Sequence, residues 1–165
     1  MAVNWMADAG TGVQNIGLAL MIGGMLAIGA FAAPVIFRQF PREEAGTALT
    51  LIFRRYDIVL LVALGLVLAG EIARYLSGVF EANQTMNLVR YGLLVALTGL
   101  MLYSIQVVNA KIEAMHHQGV QRSGTPEGQE FHRVHVLSEQ LYKIEMFLAM
   151  GLMVITPLVP RLLAN

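Results

Sequence analysis

The sequence contains no cysteine, and only 13% of its residues are Asp, Glu, Lys or Arg, about half of the share usual in soluble domains. The lack of cysteine excludes a disulfide scaffold and a cysteine nucleophile. Eleven basic residues balance eleven acidic ones, so the chain lacks the cationic excess that nucleic-acid binding uses, and we expect no nucleic-acid partner. A phosphate-binding loop and the GxSxG and HExxH motifs are also missing, which argues against an enzyme.

Apolar residues, by contrast, are abundant. They make up 56% of the 165 residues, and the mean hydropathy is +0.62. A soluble domain of this length has too small an interior to bury that much apolar side chain. We therefore predict an integral membrane protein whose immediate partner is the lipid bilayer.

Four stretches of the sequence are predicted to cross the membrane as helices. The clearest is 16–37, which has no charge before Arg38 and would extend roughly 33 Å at 1.5 Å per residue. The second and the fourth are expected to carry charge close to or inside the membrane. The predicted fold is one all-α domain over residues 1–165, an antiparallel bundle of four transmembrane helices with spans at about 16–37, 57–77, 91–110 and 142–160 and with connections at 38–56 and 111–141.

The positions of Lys and Arg predict the orientation of the bundle. Eight of the eleven lie in the first and third connections or at their margins, and three lie in the tails and the second connection. Because positively charged loops stay in the cytoplasm, connections 38–56 and 111–141 should be cytoplasmic. Both termini should lie outside, and the inner cell membrane is the expected location.

Within the connections, the pattern predicts one helix and one loop. A break at Phe40 and Pro41 should be followed by an amphipathic helix over 42–57 that leads into the second span. The turn-rich stretch 118–129 is typical of a loop. Helical character should resume near Glu130.

The sharpest candidate site lies on the last predicted helix. His132 and His135 are one turn apart and Glu139 follows four residues later, a spacing that lets two imidazoles and a carboxylate share an ion. Met146 and Met150 continue the same helical face with thioethers, which suit Cu(I). The pattern predicts copper or another soft metal at this face. The alternative is packing, since Met often fills gaps between helices and three ligands on one helix are an incomplete set.

Two charges, Glu71 and Arg74, fall inside the second predicted span, one helical turn apart. Charges at this depth are costly, so they should pair or face a cavity. One interpretation is an ion or proton pathway that opens outward. The other is an interfacial ion pair whose side chains snorkel to the surface.

A ridge of small residues marks the first span at Ala19, Gly23 and Ala27. Such ridges let helix backbones approach closely, within a bundle or between subunits. Because four helices enclose little space, we expect a homo-oligomer or an assembly with other membrane subunits.

Several short motifs follow one another along the sequence, namely Gly23-Gly24, Ala33-Pro34-Val35-Ile36-Phe37, Pro41-Arg42-Glu43-Glu44-Ala45-Gly46, Phe53, Tyr56, Phe131, His135 and Ser138. Through these motifs the sequence resembles, from about residue 16 to the end, the small four-helix membrane family that includes mammalian transmembrane protein 205. The predicted architecture is also similar to that of copper resistance protein D. The resemblance implies a four-helix membrane fold and, by analogy, soft-metal handling.

Three function classes remain, and the third, a membrane enzyme, has no catalytic motif in its favour. The first is binding or transport of a soft metal ion or small solute, which the His, Glu and Met residues of the last helix and the family resemblance favour. The second is an accessory or structural subunit of a larger membrane complex, which the small size and the small-residue ridge favour.

Overall fold

The computed structural model describes residues 5–78, 84–120 and 124–156, and these form four long helices and no strand. The prediction of an all-helical fold is confirmed. Two of the helices contain a segment of wider π-helical geometry. The helices are α1 (Trp5–Leu26, then π-helical Ala27–Ala32, then Ala33–Gln39), α2 (Arg42–Leu76), α3 (Gln84–Tyr103, then π-helical Ser104–Asn109, then Ala110–His117) and α4 (Pro126–Ile155).

Three helical stretches, Trp5–Gln39, Glu44–Leu76 and Thr85–His117, are long and apolar enough to cross a membrane. They contain most of the first three predicted spans, extend beyond them, and identify an integral membrane protein. The predicted span 142–160 is not among them. Its residues 157–160 lie outside the described part, and its described part includes the charged residues Lys143 and Glu145.

The break between α1 and α2 is where the sequence predicts it. Phe40 is extended, with φ −121° and ψ 151°, because the residue before a proline is sterically kept out of the helical region. Pro41 precedes the first helical residue, Arg42. The predicted amphipathic helix 42–57 is therefore the first part of α2 and not a separate element.

α4 begins earlier than the sequence pattern suggests. The pattern placed a loop over 118–129, whereas the helix starts at Pro126. Thr125 caps it, because its hydroxyl accepts a hydrogen bond from the Gly128 N–H at 3.2 Å. Proline at the first helical position has the φ angle that a helix requires. The cap and the proline together favour a helix here, although the stretch contains Gly128, one of the residues that predicted a loop.

Glycines spaced seven residues apart set the packing of α1 against α2. A Cβ atom at Gly17 would lie 2.6 Å from the carbonyl oxygen of Ala63, and one at Gly24 would overlap the ring of Tyr56. Gly10 makes an equally close approach to α2. Only glycine allows the two backbones to come so near.

The predicted small-residue ridge is on a different face of α1. Ala19, Gly23 and Ala27 are exposed, and a Cβ atom at Gly23 would meet nothing within 4 Å. The ridge therefore does not pack inside the bundle. The glycines at the α1–α2 contact are seven residues apart, whereas the small residues of the predicted ridge are four residues apart.

The four helices surround a main apolar core, and a smaller apolar cluster lies between α3 and α4. Backbone contact is greatest between α1 and α2, followed by α3 with α4 and α1 with α4. The core takes residues from every helix, among them Leu18, Met21, Leu60, Leu97 and Leu152. α2 and α3 are joined mainly by polar side chains, which form the sites described next.

Candidate functional site

Towards one end of the bundle, α2 and α3 are linked by a buried ion pair. The guanidinium of Arg90 donates two hydrogen bonds to the carboxylate of Glu71, at 2.8 and 2.7 Å. The two side chains are 1% and 8% exposed. Gln14 of α1 donates a longer bond of 3.4 Å to the same carboxylate. This is a bidentate, desolvated ion pair inside the membrane domain.

Arg74 lies beside that pair but has different partners. It is 2% exposed and donates to the hydroxyl of Thr11 at 2.9 Å and to the carbonyl of Thr156 at 3.3 Å. Among the described residues Arg74 forms no salt bridge. The two charges predicted from the sequence therefore lie in one layer, yet Glu71 pairs with Arg90 of α3. Neither side chain snorkels to the surface.

Further along the bundle, a polar chain crosses three helices. The side-chain amide of Asn109 donates to both carboxylate oxygens of Asp57, at 3.1 and 3.2 Å. The hydroxyl of Ser138 donates to the side-chain amide oxygen Oδ1 of Asn109 at 3.3 Å. The chain connects α2, α3 and α4 through neutral and acidic groups only.

A second carboxylate, Glu145 of α4, lies close to this chain. It is 1% exposed, and it is within electrostatic range of Asp57. The Ser104 hydroxyl faces it without the geometry of a full hydrogen bond. In the described part of the chain, one Glu145 oxygen, the Ser104 hydroxyl and the Tyr142 hydroxyl have no hydrogen-bond partner. Buried polar atoms normally have a hydrogen-bond partner, so each of these three oxygens has the capacity for one further contact.

These side chains form what we call the oxygen cluster. Every side chain in it has at least one oxygen atom that can contact a bound ion, and two of the side chains are carboxylates. The only polar nitrogen in it belongs to the amide of Asn109. Its members are Asp57, Ser104, Asn109, Ser138, Tyr142 and Glu145.

Aromatic rings close one side of the oxygen cluster. Tyr56 packs on Tyr142 with ring centres 6.4 Å apart, and Phe53 meets Tyr142 edge to face at 5.5 Å. The Tyr56 hydroxyl donates to the backbone carbonyl of Met21 at 2.6 Å. The rings fix the position of Tyr142 through packing and a bond to α1.

The π-helical segment of α3 helps to form the cluster. Ser104 and Asn109 are its first and last residues, so two cluster members come from a stretch with an extra residue per turn. Such segments are rare and are often found at functional sites. The other π-helical segment, in α1, ends just before Pro34 and includes a bond from the Ala33 N–H to the carbonyl of Ile28, which is consistent with the adjustment that a proline imposes on a helix.

The predicted soft-metal residues do not gather at one point. His132 is exposed, whereas His135 stacks on Phe131 at 6.2 Å and lies 3.5 Å from Glu139. Across residues 5–78, 84–120 and 124–156, no group of three or more His, Cys, Asp or Glu side chains is placed to hold a metal. Met146 packs against the apolar core and Met150 is half-buried.

Charged pairs follow the oxygen cluster at the end of the bundle. Arg54 bridges to Glu113 at 2.5 Å, which again links α2 to α3. Lys111 bridges to Glu130 at 2.5 Å, which links α3 to α4. The hydrogen bond and the charge of Lys111 lower the pKa of Glu130.

Two cluster members had a weak signal or none in the sequence. Glu145 lies inside the predicted span 142–160, directly before the uncharged run that starts at Met146, and an acid at that position was a weak signal for an intramembrane site. Ser104 gave no signal, because a single serine in an apolar helix is common and its burial depends on how α3 packs.

Motif residues quoted above lie around the oxygen cluster. Gly24 contacts Tyr56, Phe53 packs on Tyr142, and Ser138 is a member of the cluster. The same string also includes His135, which lies one helical turn before Ser138.

Comparison with known proteins gives a family but no characterised relative. Residues 16–121 match the family model described as a domain of unknown function, DUF4149. No curated protein and no solved structure matches the chain. Because the matched segment spans α1 to α3 and more than half of the chain, this protein belongs to the DUF4149 family.

Proposed function

We propose that the protein binds a small cation at the oxygen cluster inside its transmembrane bundle, and that this binding serves transport across the membrane. One observation carries the proposal. The Glu145 carboxyl is 1% exposed and, within the described part of the chain, one of its oxygens has no partner, beside the equally unsatisfied hydroxyls of Ser104 and Tyr142.

The charge of the cluster supports a cation in particular. A buried carboxylate in a membrane is costly unless a proton, a metal ion or a basic residue neutralises it. Asp57 and Glu145 are within electrostatic range of each other, and the bonds of Asp57 shown above go to a neutral amide. Carboxylate, amide and hydroxyl oxygens suit a proton or a hard ion such as Na⁺, Mg²⁺ or Mn²⁺.

Copper or another soft metal is the second candidate for the bound ion. Met21, Met25 and Met146 belong to the same apolar cluster as Tyr142, so thioethers lie on the apolar side of the oxygen cluster. Thioethers suit Cu(I). The resemblance to the family of transmembrane protein 205 and to copper resistance protein D supports this candidate by analogy.

The test is equilibrium dialysis of the purified protein against Na⁺, Mg²⁺, Mn²⁺ and Cu(I), with bound ion counted by elemental mass spectrometry and proton uptake followed by titration. We expect about one ion per chain, or one proton more in the wild type than in Glu145→Gln, as for a single carboxylate-lined site. Glu145→Gln should abolish binding. Glu139→Gln is the matched control, since Glu139 is an exposed carboxyl on the same helix.

Each outcome decides between sites. Loss of binding in Glu145→Gln with binding kept in Glu139→Gln supports the oxygen cluster. The reverse pattern overturns it in favour of the surface pair of His135 and Glu139. Equal ion and proton binding by wild type and Glu145→Gln also overturns it. Copper binding that Met146→Leu removes identifies the soft-metal alternative.

An accessory role in a larger assembly remains the alternative proposal, and the exposed ridge of α1 supports it. Leucine at Gly23 adds a bulky side chain to a face that is open in the bundle, so it should disrupt a helix-helix contact between subunits without disturbing the fold. Gly65→Leu is the control, because Gly65 is also exposed but lies on α2. Size measurements of protein extracted under mild conditions would show dissociation only for Gly23→Leu. An unchanged assembly would exclude this ridge as the interface.

A further inference from the structure

A groove of about 270 Å³ runs between α3 and α4 towards the end of the bundle where α3 ends and α4 begins. It is separate from the oxygen cluster, because none of its lining residues belongs to that cluster. Its walls are apolar and exposed at Tyr103, Val107 and Leu137. Its remaining lining includes three charged side chains, Lys111, Glu130 and Arg133.

The charges at the groove do not cancel. Lys111 bridges to Glu130 at 2.5 Å, and this contact lowers the pKa of Glu130, so the carboxyl is ionised at neutral pH. The ion pair is therefore neutral as a unit. Arg133 is exposed and adds a positive charge. The polar end of the groove therefore has a net charge of +1.

The arrangement along the helix axis matches the polarity profile of a membrane. Tyr103 and Lys111 are eight residues apart on α3, which is about 12 Å of helix. The apolar walls lie on the Tyr103 side and the charges on the Lys111 side. The positive-inside rule places that charged end at the cytoplasmic leaflet, where anionic lipids are concentrated.

We propose that this groove binds one anionic phospholipid of the cytoplasmic leaflet. The headgroup phosphate lies against Arg133, with Lys111 close by, and an acyl chain lies along Val107 and Leu137. A guanidinium suits a phosphate because it offers several N–H donors in a planar arrangement, and basic pockets between transmembrane helices are a known way of holding lipid headgroups.

The experiment is native mass spectrometry of the full-length protein titrated with phosphatidylglycerol, with phosphatidylcholine as the uncharged comparison. Arg133→Gln should weaken phosphatidylglycerol binding roughly fivefold, the effect of one basic residue at a membrane surface. Glu130→Gln should strengthen it, because Lys111 is then free to contact the headgroup. Arg55→Gln is the control, since Arg55 is an exposed arginine of α2 and does not line the groove.

Val107→Trp separates the groove from simple surface charge. Val107 is half exposed, so the larger side chain fills the groove without entering the core, and it should reduce phosphatidylglycerol binding while leaving every charge in place. Weaker binding in Arg133→Gln and Val107→Trp, with Arg55→Gln unchanged, supports the proposal. Equal binding of the two lipids, equal loss in Arg55→Gln, or full displacement by inorganic phosphate overturns it, the last because it shows that the acyl chain contributes nothing.

Discussion

Breaking the ion pair between Glu71 and Arg90 should destabilise this protein far more than breaking its exposed counterpart. The pair is bidentate and almost fully desolvated, so either partner alone would be a buried charge without compensation. Removing one partner of such a pair costs about 3–5 kcal/mol of the free energy of unfolding. Removing Arg54 from its exposed pair with Glu113 should cost about 0–1 kcal/mol.

The neighbouring Arg74 makes the two single substitutions unequal. With Glu71→Gln, two guanidiniums, which already repel each other, remain in one layer with no carboxylate beside them among the described residues. With Arg90→Gln, the Glu71 carboxylate still has Arg74 nearby and Gln14 as a donor. We therefore expect Glu71→Gln to reach the upper end of the 3–5 kcal/mol range and Arg90→Gln the lower end.

The test is reversible unfolding of the purified protein in mixed micelles, followed by far-UV circular dichroism. It measures the free energy of unfolding of Glu71→Gln, of Arg90→Gln and of the double variant. The double variant should cost less than the sum of the two single ones, because it removes both charges of a coupled pair. If Glu71→Gln costs no more than Arg54→Gln, the pair is not desolvated in the way described. If Arg90→Gln costs more than Glu71→Gln, the repulsion between the two arginines does not govern this layer.

Three further perturbations follow from single contacts. Gly17→Ala should lower the free energy of unfolding by about 1–3 kcal/mol, because its Cβ atom would meet a backbone carbonyl, whereas Gly23→Ala on the same helix should change it little; equal effects would contradict the assigned α1–α2 face. Tyr56→Phe keeps the ring but removes a hydrogen bond to α1, so the same unfolding assay should show a loss of about 1 kcal/mol, and an unchanged midpoint would contradict that bond. The contact with Lys111 lowers the pKa of Glu130 in the folded state, so this contact stabilises the fold above the ordinary pKa of Glu130 and is lost as pH falls through the lowered value. Binding of phosphatidylglycerol should therefore rise on acidification in the wild type and stay flat over the same range in Glu130→Gln.

Long apolar runs made the first three helices predictable from the sequence, because a bilayer requires a helix of a certain length and little else. The faces of those helices were harder to predict. The ridge at Ala19, Gly23 and Ala27 and the set at Gly10, Gly17 and Gly24 are both made of small residues, and the choice between them depends on where α2 lies.

Partner choice inside the bundle was not predictable for a related reason. Glu71 has an arginine one turn away in the sequence, yet its hydrogen bonds go to Arg90, which approaches from α3 with the geometry of a planar fork. The start of α4 depended on a single cap at Thr125. The π-helical segment that includes Ser104 has no motif of its own, so the oxygen cluster was visible only once the helices were packed.

The glycine seam between α1 and α2 has a consequence for the order in which this protein is built. Lipid tails are as apolar as leucine, so close backbone packing is a main source of helix association in a bilayer. The seam needs no residue of α3 or α4, and only two residues separate the two helices. The first hairpin can therefore assemble as soon as it leaves the insertion machinery. In that hairpin the Glu71 carboxylate has Gln14 as a donor and Arg74 nearby, and its bidentate partner Arg90 comes only with α3.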